Sequence, residues 1–570
     1  MILMTDAKKT SRKPILRFRA VLSTVAVSVI LLTFILRYYN LEAMWFRFAD
    51  EGYHLLHAAV LDAGKTAHTL YFKHGLIVFL MYGLKVFGFT VPGALNFSVF
   101  CGILTIVTFF YVCRRFLAVT NSLVLAAVFS SNYYIFYYQR SNMSDGYALM
   151  FFMFNLFCLI TSMQNFDILN GKTKSKGYGK VPGTAWSFLV MSGILTGFSF
   201  TVRIQTCLTA AGVFGALGIA VLLEVFEGKR KWRDFRRLLS YAFIWIISAA
   251  VTYALFMYSI RNDIRWASTF EWYRKNLVIT EAPVNGWKLY IFSHLFHLCS
   301  VPFLVIATMG IFSFLLKIKR LNTVRRWMLI CFIGLSAGYL KMAMPWPRAY
   351  LYLIVLLVFF WGAGLSLVCR IQQTGRIFRR AAVVILLIVT AAGELLLILP
   401  FISKTSGYRQ AAIFMGRHGP GNYYATHAWP IFSVGHKGRG FLFYPTYNKH
   451  NGSYRDLAIT LKAHCDEQHI RYLILDNNVS NYFINPELLE QFVVTYLPDA
   501  VFKNDFGEDY HTCMDAFGTI PNNDLFTDKI MIYDLSEMEK LPRTPIPYYD
   551  DKRMSEVFNK RWKDNKKPLH

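Results

Sequence analysis

Apolar runs of about 17–25 residues, the length that crosses a hydrocarbon core, recur from Ala20 to Pro400. The first covers 20–36. Others fall at 93–113, 119–138, 146–163, 185–202, 206–226, 238–258, 291–316, 327–342, 349–368 and 381–400. They predict a polytopic α-helical membrane protein with about eleven spans, thirteen at most if two were merged or missed. Polar positions between them sort by charge. Lys and Arg crowd Arg114-Arg115 and the loops 172–180, 229–237, 317–326 and 370–380. All five then fall on the N-terminal side, as cytoplasmic loops do. The apolar segment 75–88 is short, and counting it as a crossing would invert every later loop. It reads as an interfacial or half-inserted helix.

Beyond Pro400 the pattern changes. Residues 401–570 are less hydrophobic and richer in Asn, Asp, Pro and Gly. Ala458–His464 reads as part of a helix. Tyr472–Asp476 and Lys529–Asp534 read as short buried strands. Strands alternating with helices suggest a small soluble α/β domain. Three parts follow: a cytoplasmic segment 1–19, a membrane domain 20–400 with a long outer loop 38–92, and an extracytoplasmic domain 401–570.

Composition agrees: 55% of the 570 residues are hydrophobic and only 17% charged, less charge than a soluble protein of this length carries. The net charge of +27 would suggest nucleic acid if clustered on a soluble face, but its loop positions match membrane topology instead. Nucleic acid is excluded as a partner and membrane lipid expected. No small-x-small cleavage site follows 20–36, so this is an uncleaved first span. Of nine Cys, seven lie in or beside apolar spans and read as small buried hydrophobes. There is no CxxC. Cys465 and Cys513 in the tail are left open, paired or free.

Candidate chemistry collects on the outer side. Asp50-Glu51 follows the first span. It reads either as a helix start, with Asp as N-cap and Glu in the first turn, or as a carboxylate base at the mouth of a membrane cavity. His54 and His57 follow at helical spacing. Asp50 with His54 one turn on could hold a divalent ion, although an interfacial helix face is the simpler reading for the histidines. No other cofactor is expected. Asp145, in Gln139-Arg140-Ser-Asn-Met-Ser-Asp145-Gly, opens a later span. It is an N-cap or a second site carboxylate. Arg203, in Thr201-Val-Arg-Ile-Gln205, and Arg348, in Pro345-Trp-Pro-Arg348, stand at span ends. They are snorkelling anchors or phosphate ligands, since guanidinium forks match phosphate oxygens. Lys73 and Lys341 offer similar charge. The outer stretch 259–290, with Arg265-Trp266 and Glu271-Trp-Tyr-Arg-Lys275, reads as an interfacial aromatic helix or a lid.

In this order the motifs resemble those of the membrane glycosyltransferases of the GT-C fold. The groups most alike are the protein O-mannosyltransferases and the lipid A aminoarabinose transferases. Asp50-Glu51-Gly-Tyr53 is similar to the family's acidic pair after the first span. Gly64 to Tyr71 and Phe87-Gly88 are similar to the segments that come next, and Asp145 to the second Asp. Arg-Ala-Tyr-Leu-Tyr-Leu at 348–353 resembles the late segment that lines the donor phosphate. His74-Gly75 stand where the family often has a Pro-Pro pair. The resemblance covers the layout of 1–400. It implies a sugar donor on a polyprenyl or dolichyl phosphate, and an acceptor hydroxyl on a lipid, glycan or protein. Asp50 would be the base of an inverting displacement, with Glu51 and Asp145 as further catalytic carboxylates. Lys73, Arg203, Arg348 and Tyr350 would surround the phosphate. The expected setting is a bacterial plasma membrane, with the endoplasmic reticulum left open as the alternative. Two rival readings are a lipid or polysaccharide transporter or flippase without catalysis, and a non-catalytic scaffold. A transporter would be expected to show mid-span charge or paired halves. No duplication is visible, and few mid-span charges occur apart from Glu394.

Overall fold

Length and apolarity decide most of the architecture. A computed structural model describes residues 13–47, 49–65, 67–68, 73–169, 183–262, 264–265, 299–340, 351–371, 376–425, 440–442, 469–476, 496, 498–506 and 529–536. Among these, eight helices are long and apolar enough to cross a membrane. Three shorter apolar helices accompany them: His74–Phe87, Val119–Ser131 and Val301–Leu315. Contacts divide the chain into two units. The first holds Met1–Tyr39, His57–Phe89 and Gly93–Ile402; the second holds Asn40–Leu56, Thr90–Pro92 and Ser403–His570.

The first unit is a helix bundle. Its helices are α1 (Lys13–Tyr38), the latter part of α3 (Ala49–Asp62), α4 (His74–Phe87), α5 (Val91–Arg114), α6 (Val119–Ser131), α7 (Tyr133–Gln139) and α8 (Ser144–Asn165). They continue with α9 (Gly183–Val202), α10 (Ile204–Phe226), α11 (Trp232–Ser259), α12 (Val301–Leu315), α13 (Thr323–Leu340), α14 (Leu351–Ile371) and α15 (Arg376–Ile402). Over its described residues each expected span is helical, 119–138 as two helices. Residues 291–298 lie outside the described residues, as do Cys465, Cys513 and the segment 458–464.

The 119–138 span differs from expectation: it is two helices, broken at Asn132. The Asn132 side chain accepts the Ile135 amide at 3.2 Å and so caps α7. Both halves are apolar, so periodicity alone could not show the break. Glu394, fully buried in α15, completes it. One carboxylate oxygen accepts the Tyr133 amide at 2.7 Å. The other accepts the Ser300 amide and hydroxyl, each at 2.9 Å. One side chain thus satisfies the first N–H groups of α7 and α12, which have no intrahelical partner.

Helices α12 and α14 meet backbone to backbone. A Cβ on Gly310 would overlap the Phe360 carbonyl, and one on Gly364 the Ile306 carbonyl. Small residues permit this close approach, the usual device of membrane helix pairs. At the basic-loop end, Glu224 binds Arg230 at 2.5 Å and the Thr323 hydroxyl at 2.8 Å. Arg230 also reaches the Ile168 carbonyl at 2.6 Å. Farther along, Trp327 donates to the Val213 carbonyl at 2.7 Å.

The second unit carries α2 (Leu41–Met44), the start of α3, α16 (Gly407–His418) and a five-stranded sheet. Its strands are β3 (Asn422–Ala425), β4 (Gly440–Leu442), β5 (Ile470–Leu475), β6 (Ala500–Lys503) and β7 (Lys529–Asp534), in the order β4-β3-β5-β7-β6. The β3 pairings are parallel and the β7 pairings antiparallel. Helix α16 packs on β6 and β7. Tyr408 from it donates to the fully buried Asp476 at 2.8 Å.

Arg471 and Asp534 pair across β5 and β7 at 3.0 Å. Burial pushes the Asp534 carboxyl up, but bonds from Arg471 and from the Ser536 hydroxyl and amide outweigh it and hold it below the usual range. A depressed carboxylate adds stability above its unfolded value and loses it as pH falls through the folded one. Hydrogen exchange of β5 and β7 in the full chain should therefore accelerate at acid pH. Arg471→Gln removes the strongest of the bonds that hold this carboxyl down and should weaken that acid dependence.

Two glycine substitutions test the helix crossing. Gly310→Ala should cost about 1–3 kcal/mol through overpacking, read by thermal unfolding in detergent. Gly218→Ala, inside α10 with open space at its Cβ, should not lower the midpoint, since alanine favours a helix over glycine.

Candidate functional site

The acidic pair lies on the first turn of α3, in the second unit. The two carboxylates have different environments. Glu51 is fully buried and accepts the Arg47 amide at 2.6 Å. It reaches back to cap its own helix, in the manner of the Glu of a capping box. Asp50 is half-buried. His54, one turn on, is buried. Among the described residues no group of three or more His, Cys, Asp and Glu could hold a metal ion. Asp50 and His54 therefore do not by themselves make a three-ligand site.

The approach to this turn is strained and anchored. Asn40 and Trp45 have φ of 55° and 50°, unusual for Trp above all. The same stretch is tied to the segment that follows the last span. The Ser406 amide donates to the Ala43 carbonyl at 3.1 Å, and its hydroxyl to the Phe46 carbonyl at 3.0 Å. The Arg47 guanidinium stands over the Phe506 ring at 5.6 Å.

The cationic candidates lie in the first unit. Arg203 occupies the break between α9 and α10, with extended backbone at φ −163°. It is buried and pairs with Asp145 in the first turn of α8 at 2.6 Å. Arg203 also donates to the Ser144 hydroxyl at 3.2 Å. An 8% exposed guanidinium facing a 1% exposed carboxylate is no snorkelling anchor. Thr206, one turn into α10, shares a 2.6 Å hydrogen bond with the Tyr352 hydroxyl. Tyr352 opens α14 and packs edge-on against Phe152.

Lys73 takes the N-cap position of α4 and is half-buried. Two residues on, a Cβ on Gly75 would overlap the Thr201 side chain. That close approach packs the start of α4 against the end of α9, two residues before Arg203. Lys73, Asp145 and Arg203 thus gather at one end of the bundle. Arg348 and Tyr350 lie outside the described residues. The segments 67–68 and 264–265 pair as short parallel strands, β1 (Ala67–His68) and β2 (Ile264–Arg265).

Two features escaped sequence reasoning. The Thr206–Tyr352 bond had a partial signal, because Tyr352 belongs to the Arg348–Leu353 motif. The second is a pair of fully buried arginines, Arg37 and Arg140. Arg37 donates to Gln139 Oε1, the Ser130 carbonyl and the Thr33 carbonyl at 2.8–2.9 Å. Arg140 donates to the Tyr39 carbonyl at 2.5 Å. Both stand over the Phe136 ring. Nothing in the flanking sequence separates them from ordinary span-end arginines.

With the geometry in place, the fold can be compared with known structures. No protein-family model and no curated protein matches the chain. Solved structures do. The archaeal oligosaccharyltransferase AglB from Archaeoglobus fulgidus, in complex with an inhibitory peptide and a dolichol-phosphate, superposes with a TM-score of 0.53. The match is 11% identical and covers 82% of this chain and 72% of that one. ArnT from Cupriavidus metallidurans, bound to undecaprenyl phosphate, superposes with a TM-score of 0.53 at 13% identity, over 89% of this chain and 97% of that one. Both are GT-C fold membrane glycosyltransferases. The chain is an integral, multi-pass membrane protein with the GT-C fold and a C-terminal region containing a sheet. Identity this low carries the fold and not the chemistry.

The ion pair gives a test of its own. Arg203→Met leaves a buried carboxylate without its cation and should cost about 3–5 kcal/mol. Asp145→Leu combined with Arg203→Met should recover most of that loss. Thermal unfolding of the three proteins in the same nanodiscs reads both effects.

Proposed function

We propose that the protein is a glycosyltransferase that moves a sugar from a polyprenyl- or dolichyl-phosphate donor to an extracytoplasmic acceptor hydroxyl. The observation that carries this reading is the buried Asp145–Arg203 pair at a helix break, with Lys73 at the same bundle end. It occurs within a fold whose solved neighbours hold dolichol-phosphate and undecaprenyl phosphate. Asp145 orients Arg203 through one terminal nitrogen. A guanidinium has five N–H donors, so donors remain for a phosphate. Lys73 adds a point charge, and Arg348 and Tyr350 are assigned to the same phosphate by resemblance.

The reaction balances as a single displacement. The acceptor oxygen attacks the anomeric carbon, and the bond from that carbon to the phosphate oxygen breaks on the opposite face. Configuration inverts, as in single-displacement glycosidases. The acceptor proton passes to a carboxylate and the lipid phosphate leaves as an anion. Fixed cations beside that anion lower the barrier. Asp50 is the base in this reading. Glu51, buried and committed to the Arg47 amide, holds the turn that presents it. Membrane embedding suits such a donor, because the prenyl chain stays in lipid while its headgroup is processed. The basic loops support a cytoplasmic N-terminus. The transporter reading loses its strongest residue: both carboxylate oxygens of Glu394 are engaged at helix starts.

The test uses the full chain in nanodiscs with a panel of polyprenyl-phosphate sugars, each supplied with lipid, glycan and peptide acceptors. Released polyprenyl phosphate is the readout. Wild type should turn over at least one combination. Asp50→Asn, folded by thermal unfolding, should lose about 10²–10⁴-fold, the usual worth of a positioned base. Equal rates in both proteins would remove Asp50 from the chemistry.

A further inference from the structure

The first unit contains a second feature that sugar transfer does not use. A cavity of about 380 Å³ opens at the basic-loop end of the bundle, between the turn after α5 and helices α12, α13 and α14. Its volume lies in the range that holds small ligands. Phe116, Phe314, Leu321, Phe359, Ala363 and Leu367 make its apolar wall. Lys317, Asn322 and Arg325 supply the polar part. A narrower apolar extension shares Phe116, Met328 and Phe359 with it and continues past Cys331 and Val355 to Tyr352.

Three observations define what fits. The lining is divided, with hydrocarbon along the bundle interior and two cationic side chains, Lys317 on the connection between α12 and α13 and Arg325 in the first turn of α13. The surface next to it is apolar: Phe312 is 57% and Leu316 84% exposed, so in a membrane this flank faces lipid. The cationic part lies at the N-terminus of α13, where Asn322 accepts the Arg325 amide at 3.1 Å and the helix dipole favours an anion. Nearby, Arg230 pairs with Glu224 and Arg326 with Glu227.

This site is not the place proposed for the donor phosphate. Arg203 stands at the N-terminal end of α10, whereas Thr323 binds Glu224 near its C-terminal end. Helix α10 has 23 residues and is about 34 Å long. The basic mouth and the Asp145–Arg203 pair therefore lie at opposite ends of one helix.

We propose that this cavity binds one anionic phospholipid of the leaflet at the basic-loop end. Its phosphate sits against Lys317 and Arg325, and one acyl chain lies along Phe116, Met328 and Phe359. Charge complementarity at the mouth and hydrocarbon behind it select an anionic over a zwitterionic headgroup. The chain runs toward Tyr352, so occupancy supports the wall that carries the Thr206–Tyr352 bond.

The experiment is lipid retention by the full chain. Protein in mixed phosphatidylglycerol and phosphatidylcholine nanodiscs is moved into mild detergent, and bound lipid is counted by native mass spectrometry. Wild type should retain one phosphatidylglycerol in preference to phosphatidylcholine. Lys317→Glu with Arg325→Glu should lower that occupancy at least about tenfold. Met328→Trp, which fills the shared wall, should lower it with the charges intact. Lys229→Glu, outside the cavity, should leave it unchanged. Equal retention of the two lipids by wild type would overturn the proposal. So would undiminished phosphatidylglycerol on the double charge-reversal protein. Polyprenyl phosphate displacing the phospholipid in a mixed-lipid competition would overturn its identity.

Discussion

A helix that starts inside a membrane must give its first amide protons to something other than water. Glu394 meets that demand for α7 and α12 at once, and much of the bundle depends on it. Helix α7 ends at Gln139, which holds Arg37, and the chain then turns into α8 and Asp145. Helix α12 crosses α14 through the Gly310–Gly364 contact, and α14 begins beside Tyr352. The two elements that Glu394 starts thus lead to both sides of the Arg203 region. Polar groups at such depth are expensive, and here all the carboxylate's strong acceptor positions are occupied.

The acidic pair and the cations are supported differently. Asp145 and Arg203 hold each other inside the bundle, so their geometry is set by helix packing. The turn that carries Asp50 is set by Glu51, Arg47 and the two bonds from Ser406. It tolerates Trp45 in a conformation that costs of order 1–3 kcal/mol because the carbonyls of Ala43 and Phe46, on either side of it, are both held. Strain beside a half-buried carboxylate suggests that the position of this turn matters more than its stability.

Much of this was legible in the sequence. Apolar run length located the eight described helices long enough to cross a membrane, and the strands Tyr472–Asp476 and Lys529–Asp534 appeared nearly where expected, because short buried β runs bounded by turns are distinctive. Asp145 and Arg203 were both recognisable as odd residues at span ends. Their partnership was not, because it joins helices 58 positions apart through a packing that no local pattern encodes. The break at Asn132 was hidden for a related reason: its cap arrives from Glu394, and an apolar run reads the same whole or broken. The capping bond of Glu51 was also invisible, since either carboxylate of Asp50-Glu51 can cap a helix and only the fold shows that Glu51 does so.

The bond between Ser406 and Phe46 spans 360 residues. A ribosome that has made the first loop has most of the chain still to add before its partner exists. The turn bearing Asp50 therefore cannot reach its final shape during early insertion, and no truncated product ending before Ser406 can complete it. Assembly order alone delays the acidic turn until the membrane domain has been synthesised, so a half-made chain would be left with this turn unfinished.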